Sequence, residues 1–321
     1  MAKNSAPQRS SQETNRDYQL LALITVVTTF GLVALGGLVR VTESGLGCPD
    51  WPLCNGRLLP PLEARPILEY SHRLVAVITG LLIAATTLFT WRRYSSRRWL
   101  MVPSILALVL VVIQGLVGGA TVIAELSGHL VLLHLAIAQV LIAVLLIVVF
   151  VALRGDPLLT LLRQEKGSSR RLPVLALATG LATYCLLLLG AYVTVSDAGT
   201  ACGNTWPLCH GQVFFIDSHL ATVHMLHRLV TLLVCLILAG TFAVAWGQRL
   251  RRPELLWGVT LAVILLVVQV FVGATHVWLE FPAATKLLHV TMATAVWMSM
   301  IGLTLLSLTP NYAAFKGNEN A

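Results

Sequence analysis

Eight long apolar segments constrain the fold of this chain more than any other feature of its sequence. Each exceeds the roughly 20 residues that an α-helix needs to cross a bilayer, and 57% of all residues are hydrophobic while only 11% are charged. Because backbone groups in lipid must be satisfied within the protein, uninterrupted runs of this length predict helices. We therefore predict an all-α integral membrane protein. Its transmembrane helices are expected at 19–41, 67–91, 99–124, 129–153, 172–196, 219–246, 254–279 and 283–308.

The positions of the basic residues predict which side of the membrane each loop faces. Most of the 22 lysines and arginines lie in the N-terminal tail and in the loops after the second, fourth and sixth segments. These regions share one side of an eight-helix arrangement, and the positive-inside rule makes that side cytoplasmic. Both termini are then cytoplasmic, and the loops 42–66 and 197–218 lie outside. The net charge of +8 is thus a topology signal, and we expect no nucleic-acid partner.

The chain contains one membrane module twice. An offset of 155 residues links His72 to His227 and His134 to His289. Because each copy holds an even number of helices, both copies enter the membrane in the same orientation. Removal of the first segment as a signal peptide would break this symmetry, so we treat that segment as a true helix. Further pairs at this offset are Trp51–Trp206, Cys54–Cys209, Arg73–Arg228, Gln114–Gln269 and Gly118–Gly273. Upstream of one inserted residue in the second copy the offset is 154, and the pairs there are Gly36–Gly190, Gly45–Gly199 and Cys48–Cys202.

The repeat predicts two tandem, same-orientation four-helix bundles, and bundle interiors are common places for cofactor sites. The N-terminal bundle is expected at 19–153 and the C-terminal bundle at 172–308. The polar segment 154–171 is the expected cytoplasmic linker between them. Residues 1–18 and 309–321 are the expected cytoplasmic tails.

Each copy carries two histidines near the outer ends of different helices. His72 and His134 lie about five residues into their predicted helices, and His227 and His289 give similar depths. Neutral imidazole is a good ligand for iron, and one imidazole on each face of a porphyrin forms a heme site. Interfacial histidines can also simply hydrogen-bond to their neighbours. Because these four recur as two pairs, we expect them to be axial ligands of heme iron.

The remaining histidines in and near the helices have no histidine counterpart in the other copy. They are therefore expected to be loop or interface residues. One of them stays open as an alternative ligand, since it lies close to His134 in sequence. The four are His129, which is that alternative, His210, His219 and His276.

A carboxylate breaks the symmetry between the copies. Glu69 lies three residues before His72 on the same helix face, and its counterpart in the second copy is His224. A carboxylate beside a heme could accept a proton or stabilise a developing cation. We therefore expect the first copy to perform chemistry and the second to hold a fixed heme. An ordinary interfacial acid at a helix N-terminus is the alternative for Glu69, while His224 is read as a neighbour, an alternative ligand or polar lining beside His227.

An arginine follows the first histidine of each copy. Arg73 and Arg228 lie near the outer interface, where a guanidinium can pair with a heme propionate. Extension of the side chain to the lipid headgroups is the alternative. Both interpretations stay open for both residues.

Each of the two large outer loops carries a pair of cysteines. Cys48 and Cys54 flank CPDWPLC, and Cys202 and Cys209 flank CGNTWPLC. Because the outer compartment permits disulfides, we expect one in each loop. Spacing does not separate a structural bridge from a redox-active one, and zinc is a weaker alternative because the first loop lacks nearby histidines. The cysteines inside helices have no matching partners and are expected to pack as small apolar residues: Cys185 and Cys235.

Small and amide residues also recur inside the helices. Glycines let membrane helices approach closely or leave room for a flat cofactor. An unsatisfied amide within the membrane is costly, so we expect Gln114 and Gln269 to bond across helices. The recurring helical glycines are Gly36, Gly118, Gly190 and Gly273.

In combination, these segments resemble the heme A synthase family. In the first copy the resemblance rests on GGLVRVTESGLGCPDWPLCNG, EYSHR, QGLVGGATV and the helix of His134. In the second copy it rests on GAYVTVSDAGTACGNTWPLCHG, HMLHR, QVFVGATHV and the helix of His289. The resemblance covers nearly the whole chain, from about residue 20 to residue 308, and the combination of motifs is specific.

The resemblance implies an enzyme that oxidises the C8 methyl of heme O to the formyl group of heme A. It implies that His72 and His134 hold the substrate heme. His227 and His289 would ligate a heme b that relays electrons. Glu69 matches the family's proposed catalytic carboxylate.

The resemblance also implies a setting and partners. The outer-loop pair Cys48 and Cys54 matches the cysteine-containing bacterial branch, which places the chain in the bacterial plasma membrane. The heme sites would lie toward the outer face. Expected partners are heme O and heme A, the heme O synthase, the assembly machinery of the terminal oxidase, and membrane lipid.

A bis-histidyl diheme b-type electron carrier is the main alternative, and it explains the four histidines equally well. It does not explain why Glu69 is replaced by His224, or why the loops near the heme sites carry cysteine pairs. A membrane thiol oxidoreductase gives no role to the histidines. A transporter is disfavoured because charges near the membrane centre are scarce.

Overall fold

The structure is a computed structural model that describes residues 14–154, 171–214 and 218–309. Within them it contains eight long helices and no β-strand. Lys3 and Arg9 of the N-terminal tail, most of the predicted linker and most of the C-terminal tail fall outside the described residues. The helices are α1 Arg16–Val41, α2 Ala64–Tyr94, α3 Arg98–Ile123, α4 Gly128–Arg154, α5 Arg171–Val195, α6 His219–Gly247, α7 Pro253–Trp278 and α8 Ala283–Ser307.

All eight helices are long and apolar enough to cross a membrane. Their bounds agree with the eight predicted segments to within a few residues, which confirms the all-α membrane fold. The largest difference is at α2, which extends three residues beyond the apolar run at each end and begins at Ala64. The residues Ala64–Pro66 are compatible with a first helical turn, where a proline N–H is not needed.

The helices form two rings of four, one for each copy of the repeat. In the first half each of α1–α4 packs against its neighbours and α4 closes on α1, while α5–α8 repeat this arrangement. The halves meet where α8 packs against α1 and α4, and where α4 also packs against α5. The pattern is what a two-fold relation between the halves requires, since α1 corresponds to α5 and α4 to α8. The structure is therefore a pair of tandem four-helix bundles.

A hydrogen bond between counterpart positions marks the centre of this interface. Gln139 and Thr294 are 155 residues apart in the sequence, and the Gln139 Nε2 donates to the Thr294 Oγ1 at 3.1 Å. The indole N–H of Trp297 donates to the Gln139 carbonyl at 2.9 Å. Because both sides of the central contact come from equivalent positions, the repeat is visible in packing as well as in sequence.

Hydroxyl pairs join the first two helices of each half. The Oγ1 atoms of Thr25 and Thr86 lie 3.1 Å apart. Their counterparts, Thr179 and Thr241, also lie 3.1 Å apart. Polar bonds between membrane helices are modest individually, at about 0.6 kcal/mol on average, but a bond at the same place in both halves fixes the same helix rotation in each.

Candidate functional site

The four candidate ligands occupy equivalent helical positions. His72 and His227 each lie eight residues after the first residue of their helix, in α2 and α6. His134 and His289 each lie six residues after the first residue of α4 and α8. At ~1.5 Å per residue the members of a pair differ in depth by about 3 Å. The imidazoles of a pair are close enough to interact electrostatically, His72 with His134 and His227 with His289.

A glycine on the preceding helix lies against each of these imidazoles. A Cβ on Gly36 would lie 3.0 Å from Cε1 of His72, and a Cβ on Gly118 would lie 3.1 Å from Cε1 of His134. The second half repeats both contacts. There Gly190 meets the Cε1 of His227 at 2.9 Å, and Gly273 meets the Cε1 of His289 at 3.0 Å. Since real Cβ contacts are rarely this short, glycine allows each ring to lie directly on the neighbouring helix backbone.

The glycine contacts orient the rings in the same way. In all four, Nδ1 lies nearer to the glycine than Nε2 does. Nδ1 of His72, His134 and His227 is buried without a hydrogen-bond partner among the described residues, yet each of these rings remains partly exposed. In every case Cε1, the carbon between the two nitrogens, is the ring atom closest to the glycine.

This donor set fits a heme better than a bare metal ion. Among the residues that the structure describes, no group of three or more His, Cys, Asp or Glu side chains could hold a metal ion. A porphyrin supplies four ligands of its own and needs only two imidazoles from the protein. Paired histidines with glycine-backed rings meet that need in each half.

Glutamines fix the helices that carry the second histidine of each pair. The Gln114 Nε2 donates to the His134 carbonyl at 2.9 Å, and the Gln269 Nε2 donates to the His289 carbonyl at 3.0 Å. The prediction that both amides bond across helices is confirmed. In the second half the same amide also lies 3.2 Å from Nδ1 of His289.

Glu69 is buried in the first half, at 3% relative exposure. Its Oε2 accepts the backbone N–H of Cys48 at 2.8 Å, and its Oε1 accepts from the Arg73 Nη2 at 2.5 Å. The acid thus lies between the helix of His72 and the disulfide loop. This burial in a polar contact network distinguishes it from an acid on the membrane surface.

In the second half a histidine takes the place of the carboxylate in this pair. His224 is also buried, and its Nε2 lies 3.3 Å from the Arg228 Nη2. No carboxylate replaces Glu69 there among the described residues. The two sites therefore share their histidines and glycines but differ in charge beside the first histidine.

Both predicted disulfides are present. Cys48 and Cys54 are bonded at 1.99 Å, and Cys202 and Cys209 at 2.01 Å, and all four are fully buried. Each loop has a cis Trp–Pro bond at the same place and a short backbone bridge after its second cysteine. The two helical cysteines are free thiols. Cys235 packs against the core of the second half, as predicted, whereas Cys185 is exposed, so the prediction that it packs is wrong.

The first loop is tightened further by Asp50. Its carboxylate accepts the backbone N–H groups of Asn55 and Gly56 at 2.5 and 2.7 Å. These bonds, with that from Gly56 foremost, hold the pKa of Asp50 below its usual value. The side chain is therefore ionised at neutral pH and keeps the turn closed.

The loop tryptophans rest on α3 and α7 in different ways. The indole of Trp51 lies on Gly119, where a Cβ would come within 2.8 Å of the ring. Trp206, its counterpart, meets Trp278 edge-on at 5.6 Å between ring centroids. Gly119 corresponds to Ala274, so only the first loop has a glycine beneath its tryptophan.

Sequence reasoning missed one residue of the second site. The ring of His276 stacks on that of His289 at 6.1 Å, and its Nδ1 lies 2.9 Å from the Thr285 Oγ1. The repeat argued against His276 because its counterpart is Thr121. Its position three residues after Gly273, on the same face of α7, was the available signal.

The other unpaired histidines lie away from the paired rings. His129 is exposed in the first turn of α4, so the geometry favours His134 over it as the ligand. The His210 Nε2 lies 3.4 Å from the Ala201 carbonyl in the second disulfide loop. His219 is the first residue of α6.

Comparison with known proteins agrees with this geometry. The family described as cytochrome oxidase assembly protein (COX15-CtaA) matches residues 19–301. A heme A synthase of Halalkalibacterium halodurans is 29% identical over 297 residues, covering 90% of this chain and 97% of that protein. A heme A synthase of an Exiguobacterium species is 32% identical over 282 residues, covering 86% of this chain and 90% of that protein. This chain therefore belongs to the COX15-CtaA family of cytochrome oxidase assembly proteins, the family of the bacterial heme A synthases.

Proposed function

We propose that the chain is a heme A synthase, a membrane oxidoreductase that converts the C8 methyl of heme O into the formyl group of heme A. The observation that carries the proposal is a matched pair of histidine sites of which only one has a buried carboxylate beside it. Two identical electron-transfer sites would not need this difference. The names of the relatives support the same activity.

The first half is the proposed substrate site. His72 and His134 would hold the iron of heme O from opposite faces, with their rings fixed by Gly36 and Gly118. A site formed between membrane helices suits a substrate that carries a farnesyl chain, because that chain is soluble in the bilayer. His129 remains the alternative to His134, with its exposure counting against it.

The second half is the proposed cofactor site. His227 and His289 would hold a heme b, and its chemistry there is the relay of electrons. Gly190 and Gly273 fix these rings as in the first half. Arg228 is the proposed contact for a heme propionate, since a guanidinium pairs well with a carboxylate.

The proposed reaction removes four electrons from one carbon in two steps. A two-electron hydroxylation turns the methyl group into an alcohol, a second one gives a gem-diol that loses water to the aldehyde, and the electrons pass to an external acceptor. Glu69 is the proposed catalytic residue, either accepting a proton or stabilising positive charge at the carbon. Its fixed position between Cys48 and Arg73 supports this role because catalysis depends on orientation.

The proposed location is the bacterial plasma membrane, with both termini cytoplasmic and both sites toward the outer face. Basic residues in the last turn of α2 and just after it, Arg92, Arg93 and Arg97, support this orientation. The bundles are proposed as functional halves, with residues 154–171 as a linker. Proposed partners are the heme O synthase, which supplies the substrate, and the machinery that assembles the terminal oxidase.

Co-expression tests the proposal. The chain is produced with a heme O synthase in a host that lacks its own heme A, and membrane hemes are separated by chromatography and identified by mass. We expect heme A only when both proteins are present. Persistence of heme O without heme A, in membranes that contain the folded chain, would contradict the proposal.

A further inference from the structure

The hydrogen bonds of Arg73 all go to groups of the protein itself, three loop carbonyls and one carboxylate. Nη1 donates to the carbonyls of Asp50 at 2.9 Å and Leu53 at 2.6 Å. Nη2 donates to the carbonyl of Cys48 at 2.8 Å and to Oε1 of Glu69 at 2.5 Å. Four acceptors thus match the four hydrogens on the two terminal nitrogens, which leaves Nε as the remaining donor. In this arrangement the guanidinium has little capacity left for a ligand carboxylate.

Both carboxylate oxygens of Glu69 are tied to the disulfide loop, one through Arg73 and one directly. Arg73 holds Oε1, and the backbone N–H of Cys48 holds Oε2 at 2.8 Å. Cys48 also gives its carbonyl to Arg73, so the three residues form a closed triangle of contacts. The side chains of Arg73 and Glu69 are 14% and 5% exposed. In so buried a setting, charge-assisted bonds are short and directional.

The second half provides a comparison within the same molecule. Arg228 donates from Nη1 to the carbonyls of Pro207 and Leu208 at 3.1 and 3.0 Å. Its Nη2 has one contact among the described residues, to His224 at 3.3 Å. Among the described residues, Arg228 therefore keeps an Nη2 hydrogen that Arg73 does not, and it contacts no carboxylate.

We propose that Arg73 is the positioning residue of the substrate half, holding the Glu69 carboxylate in place and fastening the Cys48–Cys54 loop to α2. The proposal rests on the proposed function, in which Glu69 acts on the substrate. It assigns different tasks to the two equivalent arginines. Arg73 holds the catalytic carboxylate, whereas Arg228 has an Nη2 hydrogen that can donate to a propionate.

Lysine cannot replace this arginine. An ammonium group has three hydrogens on one nitrogen, whereas Arg73 meets four acceptors with two nitrogens held in a plane. A displacement of about 1 Å in a catalytic group can cost about 100-fold in rate. We therefore expect Arg73→Lys to lower heme A formation at least about tenfold while the heme b content of the protein is retained.

A double-mutant cycle separates positioning from general support of the fold. Heme A formed per bound heme b is measured for wild type, Glu69→Gln, Arg73→Gln and the double variant. If Arg73 acts through Glu69, the double variant is no slower than Glu69→Gln within about twofold. Multiplication of the two single effects would overturn the proposal, as would wild-type turnover in Arg73→Lys. Arg228→Gln in the Glu69→Gln background is the matched control. Its effect on heme A formation is expected to multiply with that of Glu69→Gln.

A second measurement needs neither heme nor turnover. Inserted protein is treated with a membrane-impermeant phosphine, and the released thiols are labelled with a maleimide and located by mass. In Arg73→Gln and Arg73→Lys we expect the Cys48–Cys54 bridge to open several-fold faster, with Cys202–Cys209 unchanged as the internal control. Unchanged protection of the first bridge in both variants would overturn the fastening role.

The two measurements also separate this proposal from the function. If wild-type protein forms no heme A, the proposed function fails, and the positioning role falls with it even where the labelling result agrees. If wild type forms heme A while the Arg73 variants keep both turnover and loop protection, the function stands and the role of Arg73 fails. If the Arg73 variants lose turnover but the effects of the Arg73 and Glu69 substitutions multiply, the positioning role is rejected and the fastening role is not.

Discussion

The imidazole of His72 lies directly on the backbone of Gly36, with Cε1 3.0 Å from the place where a side chain would begin. The same contact occurs for the other three paired histidines. A ring pressed against a helix in this way has little freedom to rotate. Fixed ring orientation is what an axial ligand needs, so we propose that the glycines belong to the two heme sites.

The first prediction concerns these glycines. Gly190→Ala should lower the heme b bound per protein several-fold, because its Cβ would lie 2.9 Å from the His227 ring. Gly36→Ala should leave heme b in place and lower heme A formation. Bound heme is measured by pyridine hemochrome spectra of purified protein. As controls, Gly31→Ala and Gly180→Ala should behave like wild type, since a Cβ meets nothing within 4 Å at Gly31 and only an ordinary contact at Gly180.

The second prediction assigns the two halves. His227→Ala or His289→Ala should deplete the stably bound heme b, because each removes one of two axial ligands. His72→Ala or His134→Ala should keep heme b but stop heme A formation. Heme extraction and absorption spectra of the purified variants decide between these outcomes. Equal heme b in all four variants would reject the assignment of the halves.

The third prediction concerns Glu69. Glu69→Ala should leave heme b content near normal and abolish heme A formation, because the carboxylate beside the substrate is lost. Glu43, an exposed acid that lies 3.9 Å from Arg65, is the matched control. Glu43→Ala should keep wild-type turnover. Full turnover in Glu69→Ala would remove the catalytic assignment.

The fourth prediction tests the interface between the halves. Thr294→Val removes the acceptor of the buried Gln139 amide, which should lower the free energy of unfolding by about 1 kcal/mol. Gln139→Leu combined with Thr294→Val should recover most of this loss, since no amide is then left unpaired. Thermal unfolding in detergent is the measurement. Additive losses in the double variant would show that the bond is not the cause.

Much of the fold was predictable because bilayer thickness sets helix length. Apolar runs gave all eight helices, and the repeat gave the paired histidines and both disulfides. The bonds of Gln114 and Gln269 followed from the cost of an unpaired amide in lipid. Each of these inferences uses a pattern along the sequence and needs no knowledge of which helix faces meet.

The contacts across helices were harder to predict. These helices are apolar on nearly every face, so sequence periodicity does not reveal which face meets a neighbour. The contact of Gly118 with His134 and the stacking of His276 on His289 therefore required the structure. The hydrogen bonds of Arg73 depend on the path of the loop between Cys48 and Cys54, which spacing alone does not determine.

The most direct test of the central claim is the heme composition of the purified protein after co-expression with a heme O synthase. In the wild-type protein we expect heme b together with heme A or its alcohol precursor. In Glu69→Ala we expect heme A and the precursor to be lost while heme b remains. Heme b alone, with heme O present and unchanged in the same membranes, would contradict the account and leave an electron carrier as the better description.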